Sequence, residues 1–178
     1  MGVQPLQVRL TVIDGERRFI DYLDPTTHQF TTTSGSCSCD GNEAQAHWMG
    51  PAVTMAVARH EITHLALGNW RADPPRWLNE GVAESIERLQ FQGSDATALA
   101  SVRDLDDIVR LHRSGRLPAL RTFLAMDQDD WNSLGNDIIS CYAWSLVQRR
   151  SRRRGSQRGA LNCAKIRLSA TASPVIPQ

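Results

Sequence analysis

The alternation of apolar and polar residues predicts that the chain begins with β-structure. Leu6–Ile13 alternates over most of its length, as a half-buried strand does. An Asp-Gly turn dipeptide follows, so Arg17–Leu23 is predicted to be the returning strand of a hairpin. Gln29–Thr33, rich in Thr, is a third β candidate, and the Ser/Gly/Cys-rich stretch 34–42 is predicted to be a loop.

The pattern changes to a helical period after residue 50. A Gly-Pro pair opens an apolar stretch, and a Gly-Asn pair at 68–69 is a helix-stop signal. Helices are predicted at Pro51–Leu67, Arg76–Phe91, Ser101–Leu111 and Asp137–Gln148, with a short helix or loop at Pro118–Met126. Strands first and helices afterwards predict an α+β fold.

Length and composition indicate one folded domain with a tail. The chain has 178 residues, of which 41% are hydrophobic and 22% charged, as in globular proteins. No apolar run is long enough for a membrane helix, and Met1–Arg9 lacks the basic and apolar regions of a signal peptide. A mature form, a fragment and a cytosolic protein all fit these features.

Charge is distributed unevenly along the chain. Residues 1–148 carry 12 Arg and 19 acidic residues, whereas 149–178 carry eight basic residues and no acid. We therefore predict a domain over 1–148 and a disordered basic tail over 149–178. Arginine runs bind phosphate backbones, but no aromatic residue follows Trp144 to stack on bases, so nucleic-acid binding is disfavoured.

The first candidate for chemistry is the sequence His-Glu-Ile-Thr-His at residues 60–64. On a helix, positions four apart share a face, and His60 and His64 continue an apolar stripe from Val53 and Val57 to Leu67. Two neutral imidazoles one turn apart can bind a single Zn²⁺, and Glu61 can face the water that such a site requires. The alternative is that both are ordinary histidines of a buried helix.

A zinc site of this kind needs a third ligand. Glu80 and Glu84 share a face of the second predicted helix. Glu80 follows His64 by 16 residues, which is enough chain to turn and to run a helix back beside the first. Either glutamate can complete the site on these grounds.

The two segments together resemble a known enzyme family. H-E-I-T-H-L-A-L-G-N followed by W-L-N-E-G-V-A-E is similar to the gluzincin metallopeptidases, in particular to aminopeptidase-N-like enzymes and peptidase-MA-like domains. The resemblance covers about residues 51–91. It implies a zincin-like fold, in which N-terminal strands precede an active-site helix, a glutamate-bearing helix and further C-terminal helices. It also implies a Zn²⁺ cofactor and a peptide or protein substrate.

The resemblance implies a role for each motif residue. His60, His64 and Glu80 are the zinc ligands, and Glu61 is the general base. Glu84 falls where thermolysin-like members place a carboxylate that hydrogen-bonds a zinc-bound histidine. The spacing from His64 to Glu80 is shorter than in aminopeptidase-N-like enzymes, which leaves Glu84, at the thermolysin-like spacing, as the alternative ligand.

A third segment adds a candidate oxyanion donor. Ser140–Val147 contains Y-A-W-S-L-V, which resembles a helix of peptidase-MA-like domains. The resemblance implies that Tyr142 stabilises the oxyanion formed at the scissile carbonyl. The alternatives are that Tyr142 is a core residue and that His112 is the donor, although His112 is predicted at an exposed helix end.

The sequence therefore predicts a zinc metallopeptidase. The alternative is a catalytically inactive zinc-binding domain of the same fold that acts as a binding module.

Overall fold

A computed structural model describes residues 6–23, 34–70, 73–92, 95–98 and 102–154. These residues form an α+β fold, which confirms the predicted class. The strands are β1 (Arg9–Ile13), β2 (Gly35–Ser38), β3 (Glu43–His47), β4 (Leu89–Gln92) and β5 (Asp95–Ala98). The helices are α1 (Glu16–Leu23), α2 (Pro51–Trp70), α3 (Arg76–Glu87), α4 (Val102–Arg113), α5 (Leu120–Leu124), α6 (Gln128–Ser133) and α7 (Asn136–Arg154).

The first three strands form a mixed sheet in the order β1-β3-β2. The central strand β3 runs parallel to β1 and antiparallel to β2. Ala44 and Ala46 of β3 are fully buried, and both β2 and β3 contact α2. Small side chains in the central strand let the helix lie close to the sheet, and β2 becomes the sheet edge beside α2.

The predicted hairpin is wrong in its second strand. Residues 17–23 belong to α1, because Phe19, Ile20 and Leu23 recur at a helical rather than an alternating spacing. Gly15 has a φ of +92°, and its carbonyl accepts the first helical hydrogen bond from Phe19. Phe19 is buried and stacks on His47 at a centroid distance of 5.8 Å.

The segment predicted as a loop instead contains strand β2 and a 3-10 turn at Cys39–Gly41, and β3 follows at once. Strand β2, Gly-Ser-Cys-Ser, carries little alternation, so pairing with β3 in the sheet decides its conformation rather than local pattern. The candidate strand Gln29–Thr33 lies outside the described residues.

The long helix α2 begins at Pro51, as predicted, and continues through the predicted stop to Trp70. Asn69 stays helical because its side-chain amide donates to the Leu65 carbonyl and to the Asn42 side chain. The apolar stripe begins one turn later than predicted, since Val53 is 49% exposed whereas Val57 is buried.

Helix α3 packs against both α2 and α7. It ends at Glu87 rather than at Phe91, because Leu89–Gln92 alternates and pairs with Asp95–Ala98 in a hairpin. Arg59 of α2 donates to the Glu87 carbonyl at 2.8 Å, which satisfies a backbone acceptor at the helix end. Gly81 faces α7 at their closest approach.

Helix α7 closes the domain. Its buried residues Ile139 and Ala143 form a cluster with Phe123 and Trp131. The helix begins at Asn136 and runs to Arg154, past the predicted domain boundary at residue 148. Residues 155–178, most of the predicted tail, lie outside the described part of the chain. Within that described part, no helix is long and apolar enough to span a membrane.

We expect Gly81→Ala to destabilise the domain. An added Cβ would meet the Ala143 carbonyl and come within 2.8 Å of Val147 Cγ2, so α3 and α7 would have to separate. The expected loss is about 1–3 kcal/mol in the free energy of unfolding, measured by urea denaturation. Gly41→Ala is the control, because its added Cβ would meet only the Glu43 side chain. Equal stability of Gly81→Ala and the wild type would contradict the close packing of these helices.

Candidate metal centre

Helix α2 places His60 and His64 on one face, one turn apart. Their ring centroids are 4.7 Å apart and the rings are nearly perpendicular, at 79°. The side chains are only 17% and 13% exposed. The regular helix thus presents both Nε2 atoms towards the same side, where α3 lies.

Helix α3 brings Glu80 to both histidines. Its Oε2 lies 3.6 Å from His60 Nε2 and 3.8 Å from His64 Nε2. One ligand atom from each of the three residues falls within 4.8 Å of the others, so the group can hold a metal ion. The packing of α2 on α3 produces this convergence, since Glu80 follows His64 by 16 positions and His60 by 20 in the sequence.

The separations fit a small divalent ion. Ligands at about 2.1 Å from a tetrahedral zinc lie about 3.4 Å from one another, close to the two distances measured to Glu80. His64 Nδ1 and Asn79 Oδ1 are both buried and make no hydrogen bond of regular geometry among the described residues, but Asn79 lies close enough to act against the lowering of the His64 pKa by burial. A metal at His64 Nε2 would leave the proton on Nδ1, where Asn79 Oδ1 can accept it.

Glu84 does not contact a histidine as the resemblance implied, and Glu87, for which no role was predicted, does so instead. The carboxylate that accepts a hydrogen bond from a histidine is that of Glu87, whose Oε2 lies 2.9 Å from His60 Nδ1. The Glu84 carboxylate accepts instead from Arg88 at 2.6 Å. Glu84 lies within reach of His60 and Glu87 but does not group with His64, whereas Glu80 groups with both histidines. The geometry therefore favours Glu80 over Glu84 as the third ligand.

Burial of these charges changes their pKa values. Burial alone would lower the pKa of His60, but the carboxylates of Glu80 and Glu87 overcome this effect and raise it to about 10. The pKa of Glu80 is lowered, because the two histidines overcome the effect of burial, which alone would raise it. A metal ion must therefore displace a proton from His60.

Glu61 lies beside the three candidate ligands but is not one of them. It is packed against strand β2, where a Cβ on Gly35 would come within 2.6 Å of Glu61 Oε1. Burial raises the pKa of Glu61 to about 7, while His60 and a hydrogen bond with Cys37 act in the opposite direction. A carboxyl group with a pKa near neutrality is suited to accept and return a proton.

The candidate ligands open onto a cavity of about 580 Å³ between strand β2 and helices α2, α3 and α7. Four carboxylates line it, from Glu61, Glu80, Glu84 and Glu87, together with the guanidinium of Arg76. Sequence reasoning did not identify Arg76 and Glu87. Their spacing could have indicated them, because Arg76 lies four residues before Glu80, Glu87 lies seven after it, and all three share one helix face.

Tyr142 is not among the described residues that line the cavity. Its ring packs against Phe123 at a centroid distance of 4.4 Å, as part of the cluster around α7. His112, the alternative donor, lies in the exposed last turn of α4, as predicted. The structure thus brings together His60, Glu61, His64 and Glu80, with Glu84 close by, but not Tyr142.

The chain matches no protein-family model, no curated protein sequence and no solved structure. These comparisons add nothing to the resemblance to gluzincins, which depends on the sequence motifs alone.

We expect the glutamates of α3 to differ in their effect on Zn²⁺ affinity. Glu80→Gln removes a ligand and should weaken binding most. Glu87→Gln removes the carboxylate that orients His60 and should weaken binding roughly 10–100-fold. Glu84→Gln should have the smallest effect, because Glu84 is paired with Arg88.

Competition with a chromophoric chelator measures the three affinities, and a thermal melt of each variant confirms that it is folded. If Glu84→Gln empties the site while Glu80→Gln does not, Glu84 is the ligand and the present assignment is wrong.

Proposed function

We propose that this chain is a zinc-dependent metallopeptidase of the gluzincin type, with a zincin-like fold, that hydrolyses peptide bonds in a peptide or protein substrate. The convergence of His60, His64 and Glu80 beside Glu61 is the observation that carries the proposal. The order of the elements also supports it, since a short sheet precedes the histidine-bearing helix and the glutamate-bearing helix follows.

Each residue of the cluster has a distinct part in the proposed reaction. His60, His64 and Glu80 hold the metal, which when bound supplies a Lewis acid that polarises the scissile carbonyl and acidifies water. Glu61 accepts a proton from the attacking water and returns it to the leaving amine. Its place between α2 and the edge strand β2 keeps it beside the ligands but out of the ligand set.

Two further side chains support the ligands. Glu87 accepts the Nδ1 proton of His60, which leaves Nε2 free for the metal. Arg59 fixes the backbone of Glu87 through its carbonyl. Arg59 and His60, both on α2, therefore contact the same residue of α3: Arg59 binds the Glu87 backbone, and the Glu87 side chain orients His60.

A catalytically inactive zinc-binding domain is the alternative function. The position of Tyr142 favours it, because the predicted oxyanion donor packs against Phe123 rather than lining the cavity. In that case the cavity would bind a partner peptide without turnover. The two functions predict the same metal content and differ in hydrolysis.

We expect Glu61→Gln to retain zinc and to abolish hydrolysis, because the amide keeps the shape of the side chain and cannot accept the proton. Metal content is measured by plasma mass spectrometry. Hydrolysis is measured on casein and a mixture of synthetic peptides, with products identified by mass spectrometry. Glu43→Gln, at the start of the central strand β3, where the side chain pairs with Arg9 and does not line the cavity, is the matched control and should behave as the wild type.

Loss of zinc from Glu61→Gln would contradict its role as a base. A zinc-loaded wild type that cleaves none of the substrates would instead support the inactive binding domain.

A further inference from the structure

Arg76 lines the candidate metal cavity and has no oxygen partner among the residues that the structure describes. It is the first residue of α3, one turn before Glu80, and its Nε is buried with no hydrogen bond among the described residues. Its charge acts on both Glu80 and His64, which places the guanidinium near the candidate ligands. No ion pair joins it to a carboxylate within the described part of the chain.

Two neighbouring arginines each donate from a terminal nitrogen to an oxygen acceptor, although the Nε of Arg59, like that of Arg76, is buried without a partner among the described residues. Arg59 lies over the Phe91 ring and donates to the Glu87 carbonyl. Arg88 lies over the Trp144 ring and donates to the Glu84 carboxylate. Arg76 lies over the Trp131 ring in the same manner, at 6.0 Å from the ring centroid, but no oxygen acceptor joins it within the described ranges.

The carboxylates of the cavity are already engaged elsewhere. Glu84 pairs with Arg88 and Glu87 with His60, while Glu80 faces both histidines. Only the Nε of Arg76 is buried without an acceptor, which is costly, and the residue as a whole is partly exposed, so its guanidinium can act as a binding group for an anion that enters the cavity. The Trp131 ring, itself buried, holds the guanidinium in place before a ligand arrives.

We propose that Arg76 binds a carboxylate of the substrate and gives the cavity a preference for peptides that carry one near the scissile bond. The planar fork of arginine matches a carboxylate in two parallel hydrogen bonds. Apart from Arg76 and His60, the charged side chains that line the cavity are carboxylates, which repel an acidic peptide, so the Arg76 guanidinium supplies attraction beyond the histidine cluster. This inference rests on the proposed peptidase function.

The carboxylate has two sources, the C-terminus of a peptide and an acidic side chain. Three peptides of one parent sequence separate them. The first is C-terminally amidated and has no acidic residue, the second has a free C-terminus, and the third is amidated and carries one Glu next to the cleaved bond. Preference for the second identifies the C-terminus, and preference for the third identifies the side chain.

The test compares wild type, Arg76→Gln and Arg76→Lys, with Arg121→Ala, an exposed arginine of α5, as the control. We expect Arg76→Gln to lower kcat/KM for the preferred carboxylate peptide roughly 10–100-fold and to leave the neutral peptide nearly unchanged. Arg76→Lys keeps the charge and should recover part of the loss. Zinc content and thermal melts show which variants are folded.

Binding is measured separately from turnover. The same peptides are titrated calorimetrically into zinc-loaded Glu61→Gln protein, with and without Arg76→Gln. Selective loss of affinity for the carboxylate peptide supports the proposal, even if no peptide is hydrolysed. Absence of hydrolysis would count against the peptidase function and not against the role of Arg76 in binding. Equal loss for neutral and acidic peptides, or no loss for either, overturns the proposal.

Discussion

The candidate site depends on the approach of one carboxylate, that of Glu80, to two imidazoles on a different helix. That approach requires α3 to lie directly against α2, and α3 is held there by α7 on its other side. Gly81, next to Glu80, has no side chain, which lets the backbones of α3 and α7 come together. The position of Glu80 therefore follows from a packing constraint on the residue beside it.

The same packing buries charge that needs compensation. Glu61, Glu80 and Glu87 surround His60, whose pKa is raised to about 10 because a single imidazolium must balance the carboxylates. A divalent cation supplies that balance more completely than a proton does, and it leaves both Nε2 atoms coordinated. The electrostatics and the geometry of the cluster thus both favour a divalent metal ion.

Sequence reasoning was most successful where local pattern and packing agree. The starts of α2 and α3 and the relation of His60 to His64 follow from helix signals and the helical period. It failed for α1, where a turn dipeptide suggested a hairpin although Phe19 and Leu23 are spaced as on a helix. It also failed for β2, whose short polar residues become a strand only by pairing with β3.

Partners within the site were harder to predict than its position. Helical periodicity places Arg88 four residues after Glu84, so their ion pair was predictable, but only the packed structure brings His60 to Glu87. Tyr142 lies on the expected helix, yet its ring turns to Phe123 because an aromatic cluster is available there.

Metal analysis of the purified protein, beside the His60→Ala variant, tests the central claim most directly. Both proteins are equilibrated with Zn²⁺, dialysed against metal-free buffer and analysed by plasma mass spectrometry. The account predicts about one zinc ion per wild-type chain and essentially none in the variant, since two remaining ligands hold the ion weakly. A folded wild-type protein without zinc, or a variant that retains its full zinc content, would contradict it.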